Sequence, residues 1–134
     1  MERENLLKEL REQYPIEEEI DFNDFNIEER LQSQLRLEMK YWDLLSAEKF
    51  HLSELESKMV DIRFKVYDHF RFEYERTLTK TEIELFYLPG HADIKEIQKR
   101  IDIQQVKVDY FKLCYNAVKQ LQWNIKTYLK NREN

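Results

Sequence analysis

The segment between Lys58 and Lys80 places cationic and aromatic side chains close together in the sequence. Six rings, at Phe64, Tyr67, His69, Phe70, Phe72 and Tyr74, stand among the arginines and lysines. Cations pair with phosphates and rings stack on bases, so this mixture suits single-stranded nucleic acid. The predicted DNA-contacting residues are Arg63, Lys65, Lys58, Arg71 and Arg76. The alternative is that the rings form core while the cations pair with neighbouring acids.

Other kinds of chemistry find little support in the sequence. Gly90 is the only glycine, which excludes glycine-rich phosphate loops. The three histidines stand far apart, with no Cys or His at metal-ligand spacing. The carboxylates lie on helix faces expected to be solvated, with no apolar pocket to raise a pKa for acid catalysis. We therefore expect no enzyme activity, no cofactor and no metal.

Composition and charge favour a helical protein that stays in the cytoplasm. One Gly and two Pro in 134 residues are too few for the turns of a β protein. The net charge of −5 is uneven, because residues 1–33 carry eleven acids and four bases whereas residues 81–134 carry seven acids and nine bases. The single Cys114 is typical of a reducing compartment. The first residues contain no export signal or membrane span, so no membrane association is expected.

Periodicity and helix-start signals predict an all-α fold with a single helical domain. Asn26 with Glu29, and Asp93 with Glu96, fit capping boxes that begin two long helices, expected to pair as a helical hairpin. Pro15 ends a short first helix. The predicted segments are an acidic N-terminal helix and linker over 1–25, a long helix over 26–76, a loop over 77–92 and a C-terminal helix over 93–131.

The last helix carries a heptad pattern in which nine of eleven positions are apolar. A second apolar face lies outside this stripe, and two faces on one helix predict self-association. The predicted oligomerisation residues are Ile94, Ile97, Ile101, Val108, Phe111, Val118 and Ile125.

Several local motifs, spread over most of the chain, resemble one family when taken in order. They are the region around Trp42, the run IRFKV at 62–66 with aromatics after it, the stretches TEI at 81–83 and ADI at 92–94, DYFKLC at 109–114, and WNIK at 123–126. In this order they resemble the UvsY-like recombination mediators of T-even-type phages.

The resemblance implies a function and a set of partners. Family members assemble into a ring-shaped homo-oligomer, heptameric in the family, bind single-stranded DNA and help to load a RecA-like recombinase in place of the phage single-strand-binding protein. The family's basic pair matches Arg63 and Lys65, with the two cation types in reversed order. Family members also have a glycine-containing loop after this pair, whereas residues 68–76 contain no glycine.

Two functions therefore remain open at the level of sequence. The first is a DNA recombination and repair mediator in the cytoplasm of an infected bacterial host. The second is a helical coiled-coil scaffold or adaptor without nucleic-acid binding, which explains the heptad stripe equally well. Binding to single-stranded DNA distinguishes them.

Overall fold

The computed structural model describes residues 2–133, and these residues form helices and connecting segments without a strand. The all-α prediction is confirmed. In chain order the helices are α1 (Glu2–Gln13), α2 (Ile16–Ile20), α3 (Ile27–Asp68), α4 (Lys80–Glu82) and α5 (Ala92–Glu133), with π-helical turns at His69–Glu73 and Ile83–Tyr87. Within the described residues, no helix has the length and apolar character needed to cross a membrane.

The first two helices meet at Pro15. Helix α1 ends at Gln13, and the Tyr14 N–H donates to the Leu10 carbonyl at 2.7 Å. The residue before a proline disfavours helical geometry, so the chain bends here as the sequence predicts. The following residues, expected to be a linker, form the short helix α2, and its first residue Ile16 is buried.

Helix α3 begins where the sequence predicts, but the predicted Asn26–Glu29 capping box is wrong, because the Asn26 side chain bonds to the preceding turn and not to the first turn of the helix. The Asn26 carbonyl accepts the N–H of Arg30 at 2.9 Å, which places Asn26 at the N-cap. Its side-chain oxygen accepts the N–H of Asn23 at 2.7 Å and thereby holds the preceding turn. The helix was expected to reach residue 76, but it passes into the π turn after Asp68, and Tyr74 is extended (φ −74°, ψ 147°).

The predicted loop over 77–92 contains helix α4 and the second π turn instead. Thr79 and Glu82 form a capping box, in which the Glu82 N–H donates to Thr79 Oγ1 at 3.1 Å and the Thr79 N–H donates to Glu82 Oε1 at 3.3 Å. This reciprocal pair satisfies two backbone donors and starts a helical turn. Ile83 and Leu88 then anchor the segment, because both are buried.

Helix α5 starts one residue earlier than predicted. His91 occupies the N-cap, since its carbonyl accepts the Lys95 N–H at 3.0 Å and its Nδ1 accepts the Asp93 N–H at 3.2 Å. The predicted capping role of Asp93 is therefore wrong, and Asp93 lies in the first turn. An acid in that position interacts favourably with the helix dipole.

The described residues form two compact units. We call residues 2–49 together with 106–133 the terminal unit, and Phe50–Gln105 the middle unit. Both long helices contribute to both units.

Within the terminal unit, α3 and α5 run antiparallel. Gln34 Nε2 donates to the Val118 carbonyl at 3.5 Å, and the Trp42 ring lies 5.3 Å from that of Tyr115, so later residues of α3 meet earlier residues of α5. The largest fully buried side chains of this unit are Tyr41, Leu121, Ile125, Val118 and Cys114.

The middle unit has its own apolar cluster. Its buried members are Val66, Leu78, Ile83, Leu88 and Ile94. Half-buried Met59, Ile62, Tyr67, Phe70 and Tyr87 pack against them. Ile94 of α5 and four residues of α3 thus share a core with the segment that follows the first π turn.

Candidate nucleic-acid interface

Three of the predicted DNA contacts lie on the part of α3 that belongs to the middle unit. Lys58, Arg63 and Lys65 are exposed, and their side chains make no hydrogen bond or ion pair within residues 2–133. Unpaired cations at the surface are available to phosphates without first breaking an intrachain contact.

Helix geometry separates Arg63 from Lys65. Each residue of an α-helix turns about 100°, so the two side chains leave α3 about 200° apart and do not share a face. Lys65 shares its face with Lys58, but Asp61 and Asp68 occupy the same face at spacings of three and four residues. The side chains that surround Arg63 are therefore different from those that surround Lys65.

The other two predicted contacts, Arg71 and Arg76, are hydrogen-bonded within the middle unit. Arg71 Nη1 donates to the Leu78 carbonyl at 2.8 Å, and Arg76 Nη2 donates to the Tyr87 hydroxyl at 2.9 Å. The bond with Tyr87 raises the pKa of Arg76, so the guanidinium of Arg76 stays protonated. Both arginines hold the segment between the two π turns in place.

Three of the six predicted stacking rings, those of His69, Phe70 and Tyr74, pack on one another. The Phe70 ring lies 5.2 Å from both Tyr74 and His69 in edge-to-face pairs, and 4.9 Å from the tilted ring of Tyr87. Aromatic pairs at these distances stabilise the fold beyond simple burial. For this cluster, the rings therefore pack in the fold, as the alternative to base stacking predicts. Phe64 and Phe72 differ, with 65% and 77% of their surfaces exposed.

Arg63 lies where two shallow grooves meet. The first, of about 480 Å³, is lined by Val60, Arg63, Phe64, Tyr67, Lys80, Glu84 and Leu88. The second, of about 410 Å³, is lined by Met59, Arg63, Pro89, Ile94, Lys95, Gln98, Lys99 and Asp102. We call the two together the basic groove.

The basic groove carries an excess of positive charge on an acidic chain. Its four cations are Arg63, Lys80, Lys95 and Lys99, and its two acids are Glu84 and Asp102, which leaves a net charge of +2. Lys80 pairs loosely with Glu84 at 4.0 Å, and Asp102 accepts a hydrogen bond from Gln98. The side chains of Arg63 and Lys95 have no partner within the described residues.

Packing within one chain accounts for the predicted oligomerisation residues. Ile94, Ile97, Val108, Phe111, Val118 and Ile125 are buried, and Ile101 is half-buried. A second copy cannot reach the buried ones unless the fold opens, so the heptad stripe does not itself provide a contact between copies.

The second apolar face of α5 is also largely covered. Leu7, Ile16 and Ile20 of the N-terminal helices line one groove with Val106 and Tyr110 of α5. The Tyr110 hydroxyl donates to the Tyr14 carbonyl at 2.5 Å. The covering helices come from the same chain, but Leu113 and Trp123 of this face stay 57% and 64% exposed.

The remaining candidates for chemistry are the single cysteine and the possible metal ligands. Cys114 is fully buried, and burial raises the pKa of its thiol to about 11. Among residues 2–133, no three His, Cys, Asp or Glu side chains are grouped as a metal site would require.

Comparisons with protein-family models, with curated proteins and with solved structures found no match to this chain. We therefore infer the function from the chain's own residues.

Proposed function

We propose that this protein binds single-stranded DNA through the basic groove of the middle unit. The observation that carries the proposal is the position of Arg63, an unpaired cation shared by two grooves that also hold three lysines and the exposed Phe64 ring. Phosphates pair with the cations, and an unpaired base stacks on Phe64. Duplex DNA keeps its bases stacked inside, so it loses the contact with Phe64.

The strength of a single groove is limited. Three or four phosphate contacts on a single strand give a slope of log affinity against log salt of about −2 to −3, since each contact contributes about 0.7. Such a site binds weakly at physiological salt. Several copies on one strand raise the overall affinity without new kinds of contact.

The role we propose for this binding is that of a recombination mediator, which follows the resemblance to the UvsY-like proteins. The protein holds the strand while a RecA-like recombinase replaces the phage single-strand-binding protein. A ring-shaped homo-oligomer, heptameric by that resemblance, would repeat the basic groove along the strand. The test is recombinase filament assembly on DNA coated with single-strand-binding protein, which the protein should accelerate.

DNA binding itself is tested first. Fluorescence anisotropy of a labelled oligo-dT, measured from 25 to 300 mM salt, should show binding that weakens with the slope given above. A duplex of the same length should bind more weakly. Absence of binding to oligo-dT at the lowest salt would overturn the proposal.

A helical scaffold or adaptor is the second candidate, and one observation favours it. Leu35, Met39 and Trp42 form an exposed apolar stripe on α3, as a helix-binding surface would. An adaptor of this kind shows no affinity for oligo-dT, so the same anisotropy series decides between the two.

A further inference from the structure

One face of α3 in the terminal unit is apolar and exposed. Leu31, Leu35, Met39 and Trp42 follow one another at spacings of four, four and three residues, with 40%, 63%, 60% and 52% of their surfaces exposed. This spacing places the four side chains along one side of the helix. We call them the α3 stripe.

The α3 stripe is unlike scattered surface leucines. Its four large side chains are neighbours and form one continuous apolar patch, and the largest such patch on a monomer is often functional. Tyr41 and Leu45, on the adjoining side of the same helix, are buried in the unit's own core. The apolar surface of α3 is therefore wider than the part that the chain covers.

Two unpaired charges flank the α3 stripe. Arg36 and Asp43 are exposed, and neither makes an ion pair or side-chain hydrogen bond within residues 2–133. They stand seven residues apart, so they lie on the same edge of the stripe, two turns from each other. One edge thus carries a positive charge at one end and a negative charge at the other.

We infer that the α3 stripe packs against the α3 stripe of a second copy, with the two helices antiparallel. A two-fold axis near Met39 sets Arg36 of each copy against Asp43 of the other, so the same ion pair forms twice across the interface. It also lays Leu35 of one copy on Trp42 of the other.

This contact is independent of DNA binding. It lies on the terminal unit, whereas the basic groove lies on the middle unit. A two-fold contact joins two subunits or two rings, so it requires an even number of copies. An odd number in the native mass of the particle overturns it, whatever the affinity for DNA.

The first experiment measures self-association by sedimentation over 1–100 µM protein. The variant with Leu35→Glu and Met39→Glu should dissociate at least tenfold more readily than the wild type. Trp123→Glu is the matched control, because Trp123 is 64% exposed on α5 and lies outside the stripe. Circular dichroism checks that each variant keeps its helices. Equal dissociation constants for the stripe variant and the control would exclude the stripe.

The second experiment tests the antiparallel register. R36D carries acids at both flanking positions and D43R carries bases at both, so each variant should self-associate at least fivefold more weakly than the wild type. An equimolar mixture should recover wild-type association, because each pair across the interface is again of opposite sign. Failure of the mixture to associate better than either variant alone would refute the pairing of Arg36 with Asp43.

Discussion

Neutralising two cations of the basic groove should weaken DNA binding far more than neutralising two cations elsewhere on the same unit. The perturbation is the double variant Arg63→Gln with Lys95→Gln. Both side chains line the groove and have no partner within the described residues, so their removal leaves no intrachain contact broken. The matched control is Lys58→Gln with Lys65→Gln, which removes the same charge from the other face of α3.

The expected size follows from counterion release. Each phosphate contact on a single strand contributes about 0.7 to the salt slope, so two lost contacts should reduce its magnitude by about 1.4. At 0.1 M salt the same term lowers the affinity about 25-fold, or about 2 kcal/mol of binding free energy. The control should change the affinity less than about fivefold, because Asp61 and Asp68 share its face.

The assay is the anisotropy titration of oligo-dT at five or more salt concentrations for both double variants and the wild type. Thermal unfolding confirms that the variants remain folded, which is expected because all four side chains are exposed. Equal losses in the two double variants would mean that overall charge drives binding and that the groove has no special part. A larger loss in the control would move the site to the face of Lys65.

Further predictions concern a stacking ring, a buried hydrogen bond and the thiol. Phe64→Ala should cost about 1–3 kcal/mol of binding to oligo-dT while the salt slope stays unchanged, since stacking releases no counterions; a changed slope in the anisotropy series would contradict this. The buried Tyr41 hydroxyl donates to Glu19, whose carboxylate is largely shielded from solvent, so Tyr41→Phe should lower the free energy of unfolding in urea by about 1–3 kcal/mol. Unchanged stability would show that this bond is not formed in solution. Cys114, with its pKa raised to about 11, should react with a thiol reagent at pH 8 at least a hundredfold more slowly in the native protein than in urea, and a fast native reaction would show that the core opens there.

The helices were predictable because their signals are local. Pro15 and Asn26 mark a helix end and a helix start through steric and hydrogen-bonding effects that involve only a few neighbouring residues. The Thr79–Glu82 capping box is equally local, yet the sequence analysis predicts a loop where it begins a helix. The turn-forming Pro89 and Gly90 follow closely and leave room for only two short turns, which a periodicity argument does not detect.

The candidate site was only partly predictable. Arg63 belongs to the basic groove, but Lys65 leaves α3 on another face, and the helical spacing alone indicates this separation. Lys95 and Lys99 join Arg63 only because α5 lies alongside α3 in the middle unit. Their sequence distance from Arg63 exceeds thirty residues, and no periodicity specifies which turn of one helix meets which turn of another.

The heptad stripe shows why an apolar pattern alone does not predict assembly. A helix buried on two sides by its own chain and a helix shared between copies have the same periodicity. Here α1 and α2 cover the second face of α5, as the contact of Tyr110 with Tyr14 shows. Exposed apolar side chains remain on both long helices, among them Leu35 and Met39 on α3 and Trp123 on α5.

The most direct test of the central proposal is to locate the bound strand. Photo-cross-linking of oligo-dT to the wild-type protein, followed by mass spectrometry of the peptides, identifies the residues in contact. If the strand lies in the basic groove, cross-links form at Phe64 and around Lys80 and Lys95, and they are lost in the Arg63→Gln, Lys95→Gln variant. Cross-links confined to the terminal unit, or to the face of Lys58 and Lys65, would contradict it.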